Sequence, residues 1–312
     1  MLKYSVGVRF MVKERICIIC RKSKAKSEFN IEHIIPESIG NKNLIIDSVC
    51  KECNSKLGTK VDYEITNNII SQLDRFINKS RGKSGKIPNP FRKGKTKDGK
   101  TVYCDENLKP RLATEVEFDS ETGRYSISTS SMKEAVEIID KKLKRSGKPP
   151  LTDEQIEELK KSVKSEKVRP TVRMSTSVDF YKIRMGFIKI AYEFMYYLVG
   201  QNYLKDEQGK RLAKILNDYI YKNIKTDHSG IVGGLPEEEH LRIISGFKIL
   251  GKELFDNQNI HYIQLLKVGN TSIVNIILYS VFNYSVVVSN KNYNLCSNMY
   301  MINPIDGRCI KA

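Results

Sequence analysis

Acidic residues are scarce in this chain relative to basic ones: 36 Asp and Glu stand against 53 Lys and Arg over 312 residues, a formal net charge of +17. The imbalance favours a polyanionic partner, because each phosphate neutralised by Lys or Arg releases a condensed counterion. Nucleic acid leads the candidates. The plain alternative is an A/T-rich coding bias, in which Lys, Asn and Ile rise together. Long hydrophobic runs are also missing. The two most apolar stretches, 187–199 and 273–288, are interrupted by polar residues or too short to cross a bilayer, so no membrane span and no membrane partner is expected. The opening MLKYSVGVRFMVKER has no apolar signal-peptide core, which points to a cytoplasmic protein with reduced thiols. Histidine numbers only four, leaving few candidates for acid–base chemistry, and no internal repeat is evident.

Cysteine, by contrast, is concentrated. Cys17/Cys20 and Cys50/Cys53 form two C-x-x-C pairs, each able to present two thiolates to one tetrahedral ion. Four thiolates leave no open position for water, so the ion expected here is a structural zinc. Cys104, Cys296 and Cys309 stand apart and read as buried or incidental thiols. Between the pairs lies Glu32-His33-Ile34-Ile35-Pro36, and Asn54 follows the last cysteine directly. A histidine beside a carboxylate can serve as a general base next to a metal ligand, although such a pair alone is more often an ordinary surface or core histidine. His228, His240 and His261 have no comparable surroundings and are expected to be structural or exposed.

Roughly residues 13–66 resemble the HNH endonucleases of the ββα-metal fold, specifically those built around a four-cysteine zinc site. The likeness is carried by CIICRKSKAKSEFNIEHIIPESIGNKNLIIDSVCKECNSKLGTKVD, above all by EHIIPES and CKECN. The resemblance implies a metal-dependent hydrolysis of DNA phosphodiester bonds, with double-stranded DNA as substrate. It implies His33 as general base, Glu32 and Asn54 as protein ligands of a catalytic Mg²⁺ or Mn²⁺, and Asn43 as the residue orienting His33 through its loop. Many members of the family carry an Asn nearer the second cysteine pair, whereas here Asn41 and Asn43 lie further upstream and Asp47 occupies the closer region. Lys56 or Lys60 would contact the scissile phosphate. Glutamate at position 32 departs from the Asp or His common across the wider superfamily. Restriction or phage defence is a plausible extension, and the rival reading is a zinc-stabilised nucleic-acid-binding protein that does not cut. A regulatory protein partner or a homo-oligomer would suit a C-terminal half that holds the nuclease silent until triggered.

The expected fold class is α+β: an N-terminal ββα-metal core with a zinc knuckle pair, followed by a mixed α+β region. Four segments are expected: 1–66 (nuclease core), 67–110 (helix and basic linker), 111–176 (small α+β module) and 177–312 (helical, then β-rich). Strands are expected at 4–12, at 29–35 and around 44–46, then a helix from residue 51 whose continuity Gly58 puts in question. The Gly-, Pro- and Lys-rich stretch 79–100 reads as a mobile loop, with Arg81, Lys83, Arg92 and Lys93 able to track a phosphate backbone. A hairpin (114–119 with 124–129), helices at 131–145 and from Thr152, and an extended run at 168–175 follow. Beyond them come helices at 178–203 and 207–224 and strands at 261–268, 272–279 and 284–288.

Overall fold

The computed structural model describes residues 14–81, 85–122, 124–164, 171–234, 236–293, 295 and 298–311. The strand expected at 4–12, Lys83 and Cys296 lie outside them. The chain divides into two compact units, one made of 1–88 with 177–312 and one of 89–176.

In the first unit, β1 (Glu14–Ile16) and β2 (Ser23–Ala25) pair on either side of the first cysteine knuckle. β3 (Phe29–His33) runs antiparallel to β4 (Ile45–Cys50), with Glu32 opposite Ile46 and His33 opposite Ile45. A register shift between Asn30 and Glu32 breaks the alternation of the strand, so Ile31 is exposed while Glu32 is buried. α1 (Lys51–Leu57) starts from Cys50 as its N-cap. Gly58 keeps helical angles (φ −55°, ψ −42°), and the helical path continues through a π turn at Gly58–Asp62 into α2 (Tyr63–Asn67). The Asn68 side chain then caps α3 (Ile69–Ile77) by accepting from the Ile70 and Ser71 amides, each at 3.0 Å.

The second unit carries an antiparallel sheet of β5 (Lys93–Lys95), β6 (Thr101–Cys104) and β7 (Pro110–Leu112). β8 (Glu115–Asp119) and β9 (Arg124–Ser128) form a hairpin. α4 (Met132–Arg145) is capped by Ser131, and α5 (Asp153–Ser162) opens with a Thr152–Gln155 capping box. The basic stretch expected as loop up to residue 100 is therefore strand at Lys93–Lys95, held by pairing with β6.

The remainder of the first unit begins with α6 (Phe180–Val199), followed after a 3₁₀ turn at Gly200–Lys205 by α7 (Glu207–Lys222). Then come β10 (Val232–Gly233), α8 (Glu237–Phe255), β11 (His261–Val268), β12 (Thr271–Leu278), β13 (Phe282–Ser289), β14 (Met299–Ile302) and β15 (Cys309–Lys311). The strands form one antiparallel sheet in the order β10-β13-β12-β11-β14-β15. Helix α6 is buried over every face between Met185 and Tyr196, so it needs cover on more than one side. The helical stretch 58–67 and β4 supply one side, and α7 with β12 and β13 supply the other. Cys17, Cys50, Leu57 and Val61 accordingly share a hydrophobic core with Phe187, Ile190, Val274 and Val286. In this grouping 1–66 and 177–312, expected as separate segments, lie in one unit and share a core, because a helix buried on every face packs against the cysteine module on one side and the sheet on the other.

Candidate active site and cysteine cluster

The first knuckle is a tight turn. The Arg21 amide donates to the Cys17 carbonyl at 2.9 Å, and Arg21 takes a left-handed conformation (φ 58°) that lets β2 turn back along β1. The second knuckle joins the end of β4 to the first turn of α1, where Cys53 gains the positive end of the helix dipole. The four sulfur atoms of Cys17, Cys20, Cys50 and Cys53 lie within 4.8 Å of one another. A tetrahedral shell with Zn–S near ~2.3 Å places sulfurs about 3.8 Å apart, so the donor set suits a single ion such as zinc. Without one, the thiols conflict. The hydrogen bond with Cys53 pulls Cys17 down to about 5, burial pushes Cys20 up to about 11, and Cys53 rises further through its bond to Cys17 and its burial. A divalent cation removes that conflict by stabilising all four thiolates at once. The frame is tied to the rest of its unit: the Tyr192 hydroxyl donates to the Ile18 carbonyl at 2.6 Å, and the Tyr221 hydroxyl lies 3.4 Å from the Cys53 sulfur.

His33 closes β3 and is half-buried. Its carbonyl accepts from the Lys189 ammonium at 2.7 Å, and the Ile34 carbonyl lies 3.4 Å from the same nitrogen. Lys189 has no exposed surface, and its ammonium also meets Glu32 at 2.5 Å, Glu193 at 3.2 Å and Asp62 at 3.4 Å. Burial opposes the lysine charge, but Asp62, Glu193 and Glu32 outweigh it and push its pKa up. Burial raises Asp62 to about 6 and Glu193 well above the carboxylate range, both partly offset by Lys189. Burial thus favours the neutral form of Glu193 most strongly, which eases the crowding of carboxylates around the single cation. Glu32, expected as a ligand of the catalytic ion, is placed differently. It is 4% exposed, and its carboxylate is paired with Lys189 in the core. Asp62, Lys189 and Glu193 were not among the expected site residues; the signal for two of them is a lysine and a glutamate four apart in the apolar run FIKIAYEF.

Asn54 sits half-buried on α1, and its side-chain amide donates to the Ile31 carbonyl at 3.0 Å. That bond uses the amide nitrogen and leaves Oδ1, the metal-binding atom of an asparagine, out of the contact with Ile31. In the loop between β3 and β4 the two asparagines divide the work. Asn43 donates to the Gly307 carbonyl at 2.9 Å. Asn41, fully buried, donates to the Ile35 and Leu44 carbonyls at 2.8 Å and accepts from the Asn43 and Leu44 amides. Asn41 thus ties the backbone of the loop together from within, while Asn43 anchors it to Gly307. His261 adds a further tie: Nε2 donates to the Ile39 carbonyl at 2.8 Å and Nδ1 accepts from the Tyr279 amide at 3.1 Å, so the ring is neutral.

Of the expected phosphate-contacting residues, Lys56 lies over the Tyr221 ring at 4.8 Å and Lys60 donates to Asn223 Oδ1 at 2.7 Å. Arg81 is exposed and donates to the Gly85 carbonyl at 2.6 Å. Arg92 and Lys93 are exposed and belong to the second unit. Residues 17–70, which span both cysteine pairs, β3, β4 and the helical path beyond them, match the HNH endonuclease family. No curated protein and no solved structure matches the chain.

Proposed function

We propose that this chain is a metal-dependent endonuclease whose HNH segment hydrolyses phosphodiester bonds in DNA, with His33 as general base. The observation that carries this reading is the joint placement of His33 at the end of β3 and Asn54 on α1, the two elements stitched by the Asn54–Ile31 bond inside the four-cysteine frame. His33 takes the proton of the attacking water, the general-base step that a histidine side chain most often performs. A catalytic Mg²⁺ or Mn²⁺ would stabilise the leaving oxygen. Asn54 Oδ1 fits such a hard ion, whereas Glu32, already paired with Lys189, does not. Ligation is then left to Asn54 and to oxygens of the substrate and solvent. Glu32 instead steadies the strand that carries His33. The zinc proposed for the cysteines is a scaffold and takes no part in hydrolysis.

Plasmid DNA, single-stranded DNA and RNA incubated with the purified protein, with and without Mg²⁺ or Mn²⁺, test this. Cleavage is expected with the ion present, and His33→Ala is expected to lower it by about 10²–10⁴-fold with zinc content unchanged. Equal cleavage by both proteins removes His33 from the mechanism. Binding without cleavage by either would favour the second reading, a zinc-stabilised nucleic-acid-binding protein, which the net charge of +17 also supports. A role in restriction or phage defence rests on the resemblance and is checked by phage plating on cells carrying the wild type or His33→Ala.

A further inference from the structure

Where α7 ends and the chain turns toward β10, a cavity of about 460 Å³ opens beside the first turns of α6, separate from the cysteine frame. Its walls include Tyr181, Arg184, Lys225, Thr226, His228 and Ser229. His228 is only 4% exposed, yet neither of its ring nitrogens has a hydrogen-bond partner. An imidazole held this way leaves donor and acceptor capacity unmet, which is costly unless something enters the cavity to meet it. Arg184 has no acidic partner among the described residues, and its Nε is likewise buried without a bond. Lys225 adds a second cation, 5.2 Å from the Tyr181 ring centre. The one acid of the wall, Asp227, is turned into its own loop, accepting from the Ser229 amide at 3.0 Å and hydroxyl at 2.8 Å.

From these features we propose that the cavity is a binding site for a phosphate group, held by Arg184, Lys225 and His228. The guanidinium fork and an ammonium match the several acceptor oxygens of a tetrahedral anion, and one imidazole N–H completes the set. Base stacking is not what the site offers, because the Tyr181 ring is already stacked on His228 with centroids 4.6 Å apart and carries Lys225 as well. The volume exceeds that of a lone phosphate and leaves room for an attached sugar. The site also lies at the end of α7, two residues beyond the Asn223 that binds Lys60, so a phosphate of a nucleic-acid strand and that of a free nucleotide are both candidate sources.

With only four histidines, the imidazole NMR spectrum is assignable by substitution. The full-length protein carrying His33→Ala is titrated with inorganic phosphate against a chloride control of equal ionic strength, which makes the result independent of any nuclease activity. Phosphate is expected to shift the His228 resonances and leave those of His261 in place. Arg184→Gln and, as a surface variant that retains the fold, Lys225→Gln are each expected to weaken phosphate binding about tenfold or more. An unmoved His228 signal, or wild-type affinity in Lys225→Gln, overturns the proposal. A short thymidine oligonucleotide then separates the sources: competition with phosphate assigns the site to a nucleic-acid strand, and phosphate binding undisturbed by the oligonucleotide assigns it to a free phosphate ester.

Discussion

His261 holds the loop after His33 only in its neutral form, because one ring nitrogen donates and the other accepts. Burial pushes its pKa down to about 4, below the unfolded value near ~6.5. The unfolded chain therefore binds the extra proton first as pH falls. This contribution to stability is complete above the unfolded value and is lost progressively toward pH 4, at about 1.4 kcal/mol per pH unit. Urea midpoints at pH 7 and pH 5 should show a shallower pH dependence in His261→Gln than in the wild type. Gly40 is a second residue with a sharp demand. Its φ of +104° is a left-handed conformation, and an added Cβ would collide with the Pro304 backbone at its carbonyl. Gly40→Ala is expected to lose about 1–3 kcal/mol or more, read as a lowered urea midpoint with cleavage reduced in parallel.

At the scale of elements, α6 is tied through Lys189 to the strand that carries Glu32 and His33. Replacing Lys189 with Met leaves the buried Glu32 and the half-buried Asp62 without their cation, a change expected to cost about 3–5 kcal/mol. Combining Lys189→Met with Glu32→Gln should recover part of that loss, because one stranded charge is gone; thermal unfolding of the two variants measures the difference. The order strand, strand, helix was legible because the cysteine pairs fix the ends of β4 and α1, and α6 and α7 because their apolar residues recur at helical spacing. Helix α8 was not read from the sequence: Gly246 and Gly251 interrupt its pattern, while its true signals are Pro236 at the cap and Glu237, Glu238 and Glu239 in the first turn. The place of Glu32 was also illegible. Periodicity indicates which residues are buried, but the partner of a buried charge can stand anywhere in the chain, and Lys189 is 157 positions from Glu32.

For the molecule as a whole, the shared core means that the cysteine cluster supports more than its own knuckles. With zinc bound there as proposed, a chelator should lower the unfolding temperature of the first unit as one transition, seen in tyrosine fluorescence, since the chain has 16 Tyr and no Trp. The excess of positive charge gives a second prediction at this scale. Nucleic-acid affinity should fall steeply with salt, and Lys56→Gln with Lys60→Gln should reduce the log–log slope by about two if both lysines meet phosphates.

The contacts of the loop after His33 also have a history in time. Asn43 is bonded to Gly307 across 264 positions, and Lys42 donates to the Asp306 carbonyl at 2.8 Å. A ribosome delivers residues in order, so that loop stays without its clamp until residue 307 has been added and has emerged. Chains cut short by a premature stop, or caught midway through synthesis, carry every residue of the EHIIP segment and both cysteine pairs, yet not the support that sets their loop.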